Sequence, residues 1–310
     1  MNFHHISCMP EETIFFLQPQ KGKLFVDATL GGCGHSLRIL HQGADLIGID
    51  QDQDAIRNAR IKLEPYGDRV RIVQRNFAFI KEILENLGVD AVDGILADLG
   101  LSLHQIEASG RGFSFRGDEP LDMRMDAESP LTAAKILEEK KEEELARIFK
   151  EYGEERFAKA IARKIVARRD KNPITRTGEL ANLVSETIPK KIWAKEKIHP
   201  ATRVFMSLRI AVNAELEQLK AFLEQAPKCL KPGGRLVILS FHSLEDRMVK
   251  HTFKELAKGC VCPPELPVCV CGREKRFFLP QTRVVRPTED EILKNPMARS
   301  TRLRVLGRIP

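Results

Sequence analysis

The stretch that decides the fold of this chain is Asp27-Ala28-Thr29-Leu30-Gly31-Gly32-Cys33-Gly34-His35-Ser36. An apolar run at residues 23–30 leads into the glycines, a helical pattern opens at His35, and a second apolar run ends in an acid, Asp50. This order of strand, glycine turn, helix, strand and acid is typical of a nucleoside-cofactor site. Glycines let the backbone approach a ligand closely, and a carboxylate that ends the second strand can accept both ribose hydroxyls.

The spacing of the glycines bears on which cofactor is bound. A dinucleotide fingerprint has Gly-x-Gly-x-x-Gly/Ala, whereas Leu37 stands where the third small residue should pack. An acid before the turn, Asp27, suits a cofactor with an ammonium or sulfonium group better than one with a pyrophosphate. S-adenosylmethionine fits this description, and a nicotinamide-dependent oxidoreductase is disfavoured. Taken alone, the pattern leaves a generic nucleotide site, or a turn that merely requires glycine, as open alternatives.

Composition places the chain among ordinary globular proteins. Its 310 residues are 43% hydrophobic and 30% charged, which allows one large or two modest cores. No run approaches the roughly 20 apolar residues of a membrane span, and residues 1–20 show no signal peptide. Seven cysteines, an odd number in a long chain, favour reduced thiols. We therefore expect a cytoplasmic protein without a membrane partner.

The positive charge of the chain is concentrated in one segment. The formal net charge is +7, and residues 131–209 hold 19 Lys/Arg against 12 Asp/Glu, so that the remaining residues balance. Within that segment, residues 156–203 hold 13 basic against 4 acidic residues. A basic face of this kind can neutralise phosphates and release their counterions, which indicates a nucleic-acid partner. A solvated helix surface is the alternative.

The order of the elements predicts an α/β sheet with a helical insertion after its fourth strand. Strands are expected at 23–30, 45–50, 70–77 and 92–99, with helices at 35–41, 53–63 and 79–87. Beyond a loop at 110–126, residues 130–185 are helical and charged. An insertion at this point starts from the carboxyl edge of the sheet, where open α/β folds hold their ligands, so it could form a lid or substrate platform.

The last third of the chain predicts three more strands. A long helix at 211–229 leads through the turn Leu230-Lys231-Pro232-Gly233-Gly234 to a strand at 235–241. Ser243 and Asp246 resemble a capping box for a helix at 244–258. Strands at 276–285 and 300–307 flank a short helix at 288–294.

Motifs along most of the chain resemble one family. After the fourth predicted strand they are Ala97-Asp98-Leu99-Gly100-Leu101-Ser102-Leu103-His104-Gln105, Arg111-Gly112-Phe113-Ser114-Phe115-Arg116 and Pro120-Leu121-Asp122-Met123-Arg124-Met125-Asp126. Further blocks lie at 27–36, 202–205, 208–216, 240–247 and 295–300. Together, and in this order, they resemble the bacterial 16S ribosomal RNA cytosine-N4 methyltransferases, the MraW or RsmH family.

The resemblance implies a fold, a reaction and a partner. The fold is a Rossmann-like class I methyltransferase sheet of seven mostly parallel strands, with a methyltransferase domain at 1–107 and 211–310 and an inserted helical substrate-recognition domain at 108–210. Family members use S-adenosylmethionine to methylate the exocyclic amine of one cytosine in the decoding centre of 16S ribosomal RNA, within the small ribosomal subunit. A monomer and a dimer both stay open.

The resemblance also implies the site residues. The family's cofactor contacts fall on Cys33, Gly34, His35, Asp50, Phe77, Asp98 and Gln105. Cys33 is a small departure, because that place often holds Ala or Gly. Phe77 is expected against adenine, with a core position as the alternative, and for His35 a contact through the backbone amide is preferred to one through the imidazole.

Asp98 is also the predicted catalytic residue. The lone pair of a cytosine N4 is delocalised into the ring, so the enzyme must align the amine and accept its hydrogens. Amino-methyltransferases place an Asp/Asn/Ser-Pro-Pro-aromatic loop at this position, whereas here the sequence is Asp-Leu-Gly-Leu. Phe113 or Phe115 is therefore the candidate to stack on the base. A pure cofactor contact or a helix cap is the alternative for Asp98.

Several polar residues have two interpretations. Asp122, Arg124 and Asp126 alternate with methionines, so they either hold the extruded base and its phosphates or pair with one another. His242 is interpreted as structural, and Trp193, the only tryptophan, as a core residue.

Four cysteines, Cys260, Cys262, Cys269 and Cys271, form two Cys-x-Cys pairs in a Pro-rich stretch. Four thiolates could bind zinc, but zinc ribbons commonly use Cys-x-x-Cys, so no metal is predicted and reduced thiols are favoured.

Two rival functions stay open for the whole chain: methylation of another amine, and a non-catalytic RNA-binding assembly factor.

Overall fold

The computed structural model describes residues 7–194, 198–260, 262–263, 266–268, 270–272 and 274–310. The chain divides into two compact units. Unit 1 comprises the described residues of Met1–Gly100 and Glu217–Pro310, and unit 2 is Leu101–Leu216. The insertion predicted from the sequence, 108–210, lies within unit 2. Within the described residues, no helix combines the length and the apolar character that crossing a membrane requires.

Unit 1 is built on a seven-stranded sheet. Its strands are β1 (Leu24–Asp27), β2 (Asp45–Asp50), β3 (Val70–Gln74), β4 (Val92–Asp98), β5 (Leu230–Ser240), β6 (Phe277–Phe278) and β7 (Arg302–Arg308). They lie in the order β3-β2-β1-β4-β5-β7-β6, and only β7 runs against its neighbours. The predicted fold class, a mostly parallel Rossmann-like sheet of seven strands, is confirmed. Its strand order reverses between β1 and β4, which is where such sheets bind ligands.

Strands β1, β2 and β4 are buried on both faces because they are almost continuously apolar. Successive side chains of a strand point to opposite faces. Val26 and Ile95 therefore belong to one core cluster, and their neighbours Phe25 and Leu96 belong to the other. The helices of unit 1 are α1 (Pro10–Leu17), α2 (Gly34–His41), α3 (Gln53–Leu63), α4 (Ile80–Asn86), α13 (Ser243–Ala257) and α14 (Glu289–Lys294).

Unit 2 is helical and has its own apolar core. Its helices are α5 (Leu103–Glu107), α6 (Ala133–Glu139), α7 (Glu142–Glu151), α8 (Ala158–Arg169), α9 (Thr177–Thr187), α10 (Lys190–Trp193) and α11 (Ala201–Asn213), and α12 (Glu215–Gln225) begins at its end. Phe149, Ile161, Leu180 and Leu208 are fully buried in this core. The side chain of Trp193 lies outside the described part of the structure.

The predicted helix at 211–229 is wrong. Ala214 adopts a left-handed conformation, with φ 48° and ψ 42°, and this ends α11 at Asn213. A new helix, α12, starts at Glu215 and ends at Gln225, and a short 3-10 turn completes the segment. The apolar spacing continues across the break, which is why the pattern predicts a single helix.

Two details of the C-terminal region also differ from the prediction. In the predicted strand 276–285, only Phe277–Phe278 forms a strand, which pairs with β7, and Pro280 has no N–H to continue the ladder. Val285 pairs with Leu303 of β7 as a single isolated bridge. The capping box of α13 is formed by His242 and Glu245 rather than by Ser243 and Asp246. Asp246 instead pairs with Arg302 and Arg304 of β7.

The predicted turn at 230–234 lies within β5 as a bulge. Val92 of β4 pairs with Leu230, but Gly94, two residues on, pairs with Arg235. The intervening residues of β5 must therefore loop out of the ladder, and Gly233 accommodates this with φ 80°.

Candidate cofactor and active site

The glycine turn after β1 is held by groups from β2 and α3. Gly31 and Cys33 both have positive φ, 43° and 66°. The backbone N–H of Gly31 donates to Oδ2 of Asp50 at 2.9 Å, and the Nζ atom of Lys62 donates to the carbonyl of Gly32 at 3.1 Å. The thiol of Cys33 is fully buried, and burial raises its pKa to about 12, so it is a packing group. The turn is therefore shaped before any ligand arrives.

Ser7 packs directly against Gly34, the first residue of α2. A Cβ atom at this position would lie 2.0 Å from Oγ of Ser7. No side chain fits there unless residue 7 moves. The glycine is thus required by the packing of the segment before α1 against the start of α2.

Asp27, at the end of β1, is buried and turned toward α2. Its Oδ2 atom accepts a hydrogen bond from Oγ of Ser36 at 2.6 Å, and its Oδ1 atom accepts one from the N–H of Thr29 at 3.2 Å. Burial raises the pKa of this carboxyl to about 6, although both hydrogen bonds oppose the shift. Through these two hydrogen bonds, Asp27 joins the end of β1 to the glycine turn and to α2.

Asp50 ends β2 and is half-buried. Besides Gly31, it binds the N–H of Asp52 through Oδ1 at 2.8 Å. Burial raises the pKa of Asp50 to about 7, while the two backbone N–H donors act in the opposite direction. Each carboxylate oxygen can accept two hydrogen bonds, so a further acceptor position remains on each for a hydroxyl donor.

Asp98 ends β4, directly across the switch point from the glycine turn. Its backbone N–H donates to Oγ1 of Thr29 at 2.7 Å, which fixes the end of β4 to the loop after β1. Its Oδ2 atom lies 3.5 Å from Nε2 of His35, whose side chain is 4% exposed. Among the described residues, neither Oδ1 of Asp98 nor the two imidazole nitrogens of His35 have a hydrogen-bond partner.

This arrangement fits a ligand with amino and hydroxyl donors. Buried polar atoms are nearly always hydrogen-bonded, so an acceptor such as Oδ1 of Asp98 has room for a donor that the described residues do not supply. Asp50 presents acceptors at the end of β2, which lies two strands away from β4, on the other side of β1. A nucleoside cofactor that also carries an amino acid supplies both kinds of donor. The imidazole of His35 faces Asp98, so its side chain, and not only its backbone amide, contributes to this region.

The remaining predicted contacts are Phe77 and Gln105. Phe77 is half-buried and packs edge-on against Phe222, with ring centroids 5.1 Å apart. Before it, Nδ2 of Asn76 donates to Oε1 of Gln51 at 2.6 Å, a link between the ends of β3 and β2. Gln105 belongs to unit 2, where its Oε1 atom accepts from the N–H of Ser102 at 2.9 Å in the capping box of α5.

Comparison with known proteins identifies the family. The model of the MraW methylase family matches residues 2–309. The chain belongs to the MraW methylase family. It is 51% identical over 312 residues to "Ribosomal RNA small subunit methyltransferase H" of Desulfosudis oleivorans, with 100% of each chain covered. The protein of the same name from Desulforapulum autotrophicum is 53% identical, again with 100% of both chains covered. The predicted family is confirmed: this MraW methylase is an S-adenosylmethionine-dependent methyltransferase.

Unit 2 of this MraW methylase contains the other polar candidates. Asp122 and Arg124 pair with each other through two hydrogen bonds of 2.7 Å, and Arg124 also donates to the carbonyls of Ala127 and Ser129. Asp126 accepts from the N–H of Glu128 at 3.0 Å. These contacts agree with the pairing interpretation for Asp122 and Arg124. The segment is not extended, because Met123 has φ 59°.

The two candidate stacking residues, Phe113 and Phe115, and also His242 make contacts with other residues of the protein. Phe113 is 9% exposed and lies beneath the guanidinium of Arg111 at 5.5 Å. The ring centroid of Phe115 is 5.0 Å from that of Phe205. His242 caps α13, accepting the N–H of Glu245 at 3.4 Å, which agrees with its structural interpretation.

Sequence reasoning missed three residues that shape the site of this methylase. Thr29 holds Asp98, Ser36 holds Asp27, and Lys62 holds the glycine turn. Thr29 and Ser36 lie within the motif itself, so their hydroxyl groups were the available signal. Lys62 is remote from the glycine motif in the sequence, so no sequence signal indicates its contact with Gly32.

Proposed function

We propose that this protein transfers the methyl group of S-adenosylmethionine to the N4 amine of a cytidine in the decoding centre of 16S ribosomal RNA. The name of the relatives, a ribosomal RNA small subunit methyltransferase, supports the RNA and the ribosomal subunit. The choice of base, atom and decoding centre rests on the motif resemblance. A cytoplasmic location accompanies this substrate.

The cofactor contacts are assigned to the residues that the motif resemblance implies. Asp50 accepts the ribose hydroxyls, Phe77 borders the adenine, and the turn at Cys33, Gly34 and His35 lies along the amino acid portion. Gln105 completes the set. When bound, S-adenosylmethionine supplies an electrophilic methyl group on a sulfonium centre.

The observation that carries the proposal is the buried Oδ1 of Asp98, which has no hydrogen-bond partner among the described residues. A carboxylate that accepts a hydrogen from the cytosine amine increases the electron density on N4 and orients its lone pair. Thr29 fixes the backbone of Asp98, so this acceptor is positioned in advance. After transfer, the methylated amine loses its proton to water, and no general base is required.

Asp98 has a second candidate role at the same atom, which is to accept the amino group of the cofactor. The two roles differ in kinetics. Removing an interaction with the substrate that forms at transfer lowers kcat, whereas removing one with the cofactor raises the KM for S-adenosylmethionine.

Unit 2 is the proposed substrate-recognition domain. A cytosine amine is inaccessible in a stacked duplex, so the base must be single-stranded or extruded, and the surrounding RNA must be held. Unit 2 exposes cations that have no ion-pair partner among the described residues, namely Arg156, Lys159, Lys171, Lys190 and Lys191. Others in the basic segment are used internally: Arg169 donates to the carbonyls of Leu137 and Lys140.

The test is methyl transfer to small ribosomal subunits from a strain that lacks this modification. The protein is incubated with radiolabelled S-adenosylmethionine and the subunits, and the labelled nucleoside is identified after digestion. We expect N4-methylcytidine from the wild type and from the exposed control Asp90→Asn, and loss of at least about 100-fold in rate for Asp98→Ala.

Two outcomes would overturn the proposal. Label on another nucleoside or on protein would favour methylation of a different amine. Absence of transfer to subunits and to free ribosomal RNA, with cofactor binding intact, would favour an RNA-binding assembly factor.

A further inference from the structure

The loop between α13 and β6 brings together three cysteines that are not among the predicted cofactor contacts. The Sγ atoms of Cys260, Cys262 and Cys271 all lie within 4.8 Å of one another. The Sγ atoms of Cys260 and Cys271 are 3.8 Å apart, although eleven positions separate them in the sequence.

This sulfur–sulfur distance is that of two ligands of one metal ion. With Zn–S bonds of about 2.3 Å, the edge of a tetrahedral thiolate site is about 3.8 Å. A disulfide requires about 2.05 Å. The three cysteines are therefore arranged as ligands around a common point.

Backbone amides are directed at the same sulfurs. The N–H of Cys262 donates to Sγ of Cys260 at 3.3 Å, and the N–H of Val270 donates to Sγ of Cys262 at 3.4 Å. Hydrogen bonds of this kind stabilise thiolates and orient them, as the surroundings of metal ligands generally do.

The described apolar residues of the loop bury little of their surface. Leu266, Val268 and Val270 are 45%, 71% and 76% exposed. Its two ends nevertheless meet, because a Cβ on Gly259 would lie 3.2 Å from Cβ of Lys275. A closed segment whose described apolar side chains are exposed is the situation in which a metal cross-link can substitute for hydrophobic burial.

We propose that Cys260, Cys262 and Cys271 bind one zinc ion in a structural site. Thiolate sulfur selects soft or borderline metals, and zinc accepts tetrahedral coordination without redox chemistry. Each thiol releases its proton to solvent when its sulfur binds the metal. A fourth cysteine, Cys269, is available in the sequence two positions before Cys271 and lies outside the described residues.

The test measures metal content and coordination in the full chain. The protein is expressed with added zinc, purified without chelators and freed of any histidine tag, and its zinc is quantified by mass spectrometry. We expect about one zinc per chain in the wild type, and about tenfold less in Cys260→Ser and Cys271→Ser after dialysis. Replacement of zinc by cobalt should give the intense visible absorption of tetrahedral thiolate coordination.

The matched control is Cys229→Ser, whose side chain lies outside the cluster and is buried. This variant should keep its zinc. Cys269→Ser shows whether that residue supplies the fourth ligand: reduced affinity would assign it, and unchanged affinity would assign the position to a solvent or other ligand, with the three-thiolate site retained.

The proposal is overturned if the wild type binds no stoichiometric zinc, or if Cys260→Ser and Cys271→Ser bind as much as the wild type. A thiol titration of the denatured, unreduced wild-type protein that finds five thiols rather than seven would indicate a disulfide instead. Circular dichroism of each variant separates loss of the site from loss of the fold, because the helices and strands that give the signal lie outside this loop.

Discussion

Oδ2 of Asp50 accepts a hydrogen bond from the backbone N–H of Gly31 at 2.9 Å, which joins the end of β2 to the turn after β1. The acid that is assigned to the ribose therefore also shapes the turn along the rest of the cofactor. Asp50 should affect two parts of the ligand rather than one.

Replacement of Asp50 by Ala should weaken S-adenosylmethionine binding by about 10- to 150-fold, because hydrogen bonds to a charged group contribute about 1.5–3 kcal/mol. Isothermal titration calorimetry measures the change directly. Asp90→Ala, an exposed acid of the same unit, should bind as the wild type does. An Asp50→Ala variant with unchanged affinity would remove this residue from the cofactor site.

Cofactor affinity should depend on pH through Asp50. Burial raises the pKa of this carboxyl to about 7 in the free protein, so the group is largely protonated below that pH. Ribose hydroxyls donate more strongly to the carboxylate, and affinity should therefore increase as the pH rises from about 5.5 to about 8. Titrations across this range should show the increase in the wild type and a flatter profile in Asp50→Asn. A matching slope in both proteins would assign the dependence to another group.

Gly34→Ala should lower the free energy of unfolding by about 1–3 kcal/mol, the usual effect of forcing an extra group into a packed site. The added Cβ would overlap Oγ of Ser7. Chemical denaturation measures the decrease, and Ser7→Gly in the same chain should restore most of it. Gly117→Ala is the control, since nothing lies closer than 3.8 Å to its Cβ. If Ser7→Gly gives no recovery, the steric explanation fails.

Removal of two exposed cations from unit 2, in Arg156→Ala/Lys159→Ala, should weaken RNA binding and leave cofactor affinity unchanged. Each phosphate that the variant no longer neutralises should reduce the slope of log K against log salt by roughly 0.7–0.9. Filter binding at several salt concentrations measures both the affinity and the slope. The matched pair Lys250→Ala/Lys254→Ala on α13 carries the same charge change in unit 1. Equal effects of the two pairs would mean that RNA binding responds to net charge alone.

The alternating strands and helices of the first hundred residues could be predicted because the local sequence determines each of them. The strands β2 and β4 and the helix α3 are apolar or amphipathic runs with clear boundaries, and their predicted positions are close to those observed. The break at Ala214 could not be predicted, since alanine is a strong helix former and its left-handed conformation has no signal in the local sequence.

Some features of the candidate site could likewise be predicted from the sequence, and others could not. Asp50 and Asp98 could be placed at one edge of the sheet because each ends a parallel strand. The imidazole of His35 beside Asp98 depends on side-chain direction in three dimensions, and so does the mutual pairing of Asp122 and Arg124. An alternating charge pattern cannot distinguish a ligand site from a loop that satisfies itself.

The pairing of β4 with β5 has a consequence for how the chain folds. Roughly 130 residues separate the two strands, so closing this pair through a flexible chain would be slow and entropically costly. Unit 2 fills that interval and has its own core, built around residues such as Phe149 and Leu208. A folded insertion replaces a long flexible loop by a compact body. Substitutions in its core should therefore slow the assembly of a sheet to which they contribute no strand.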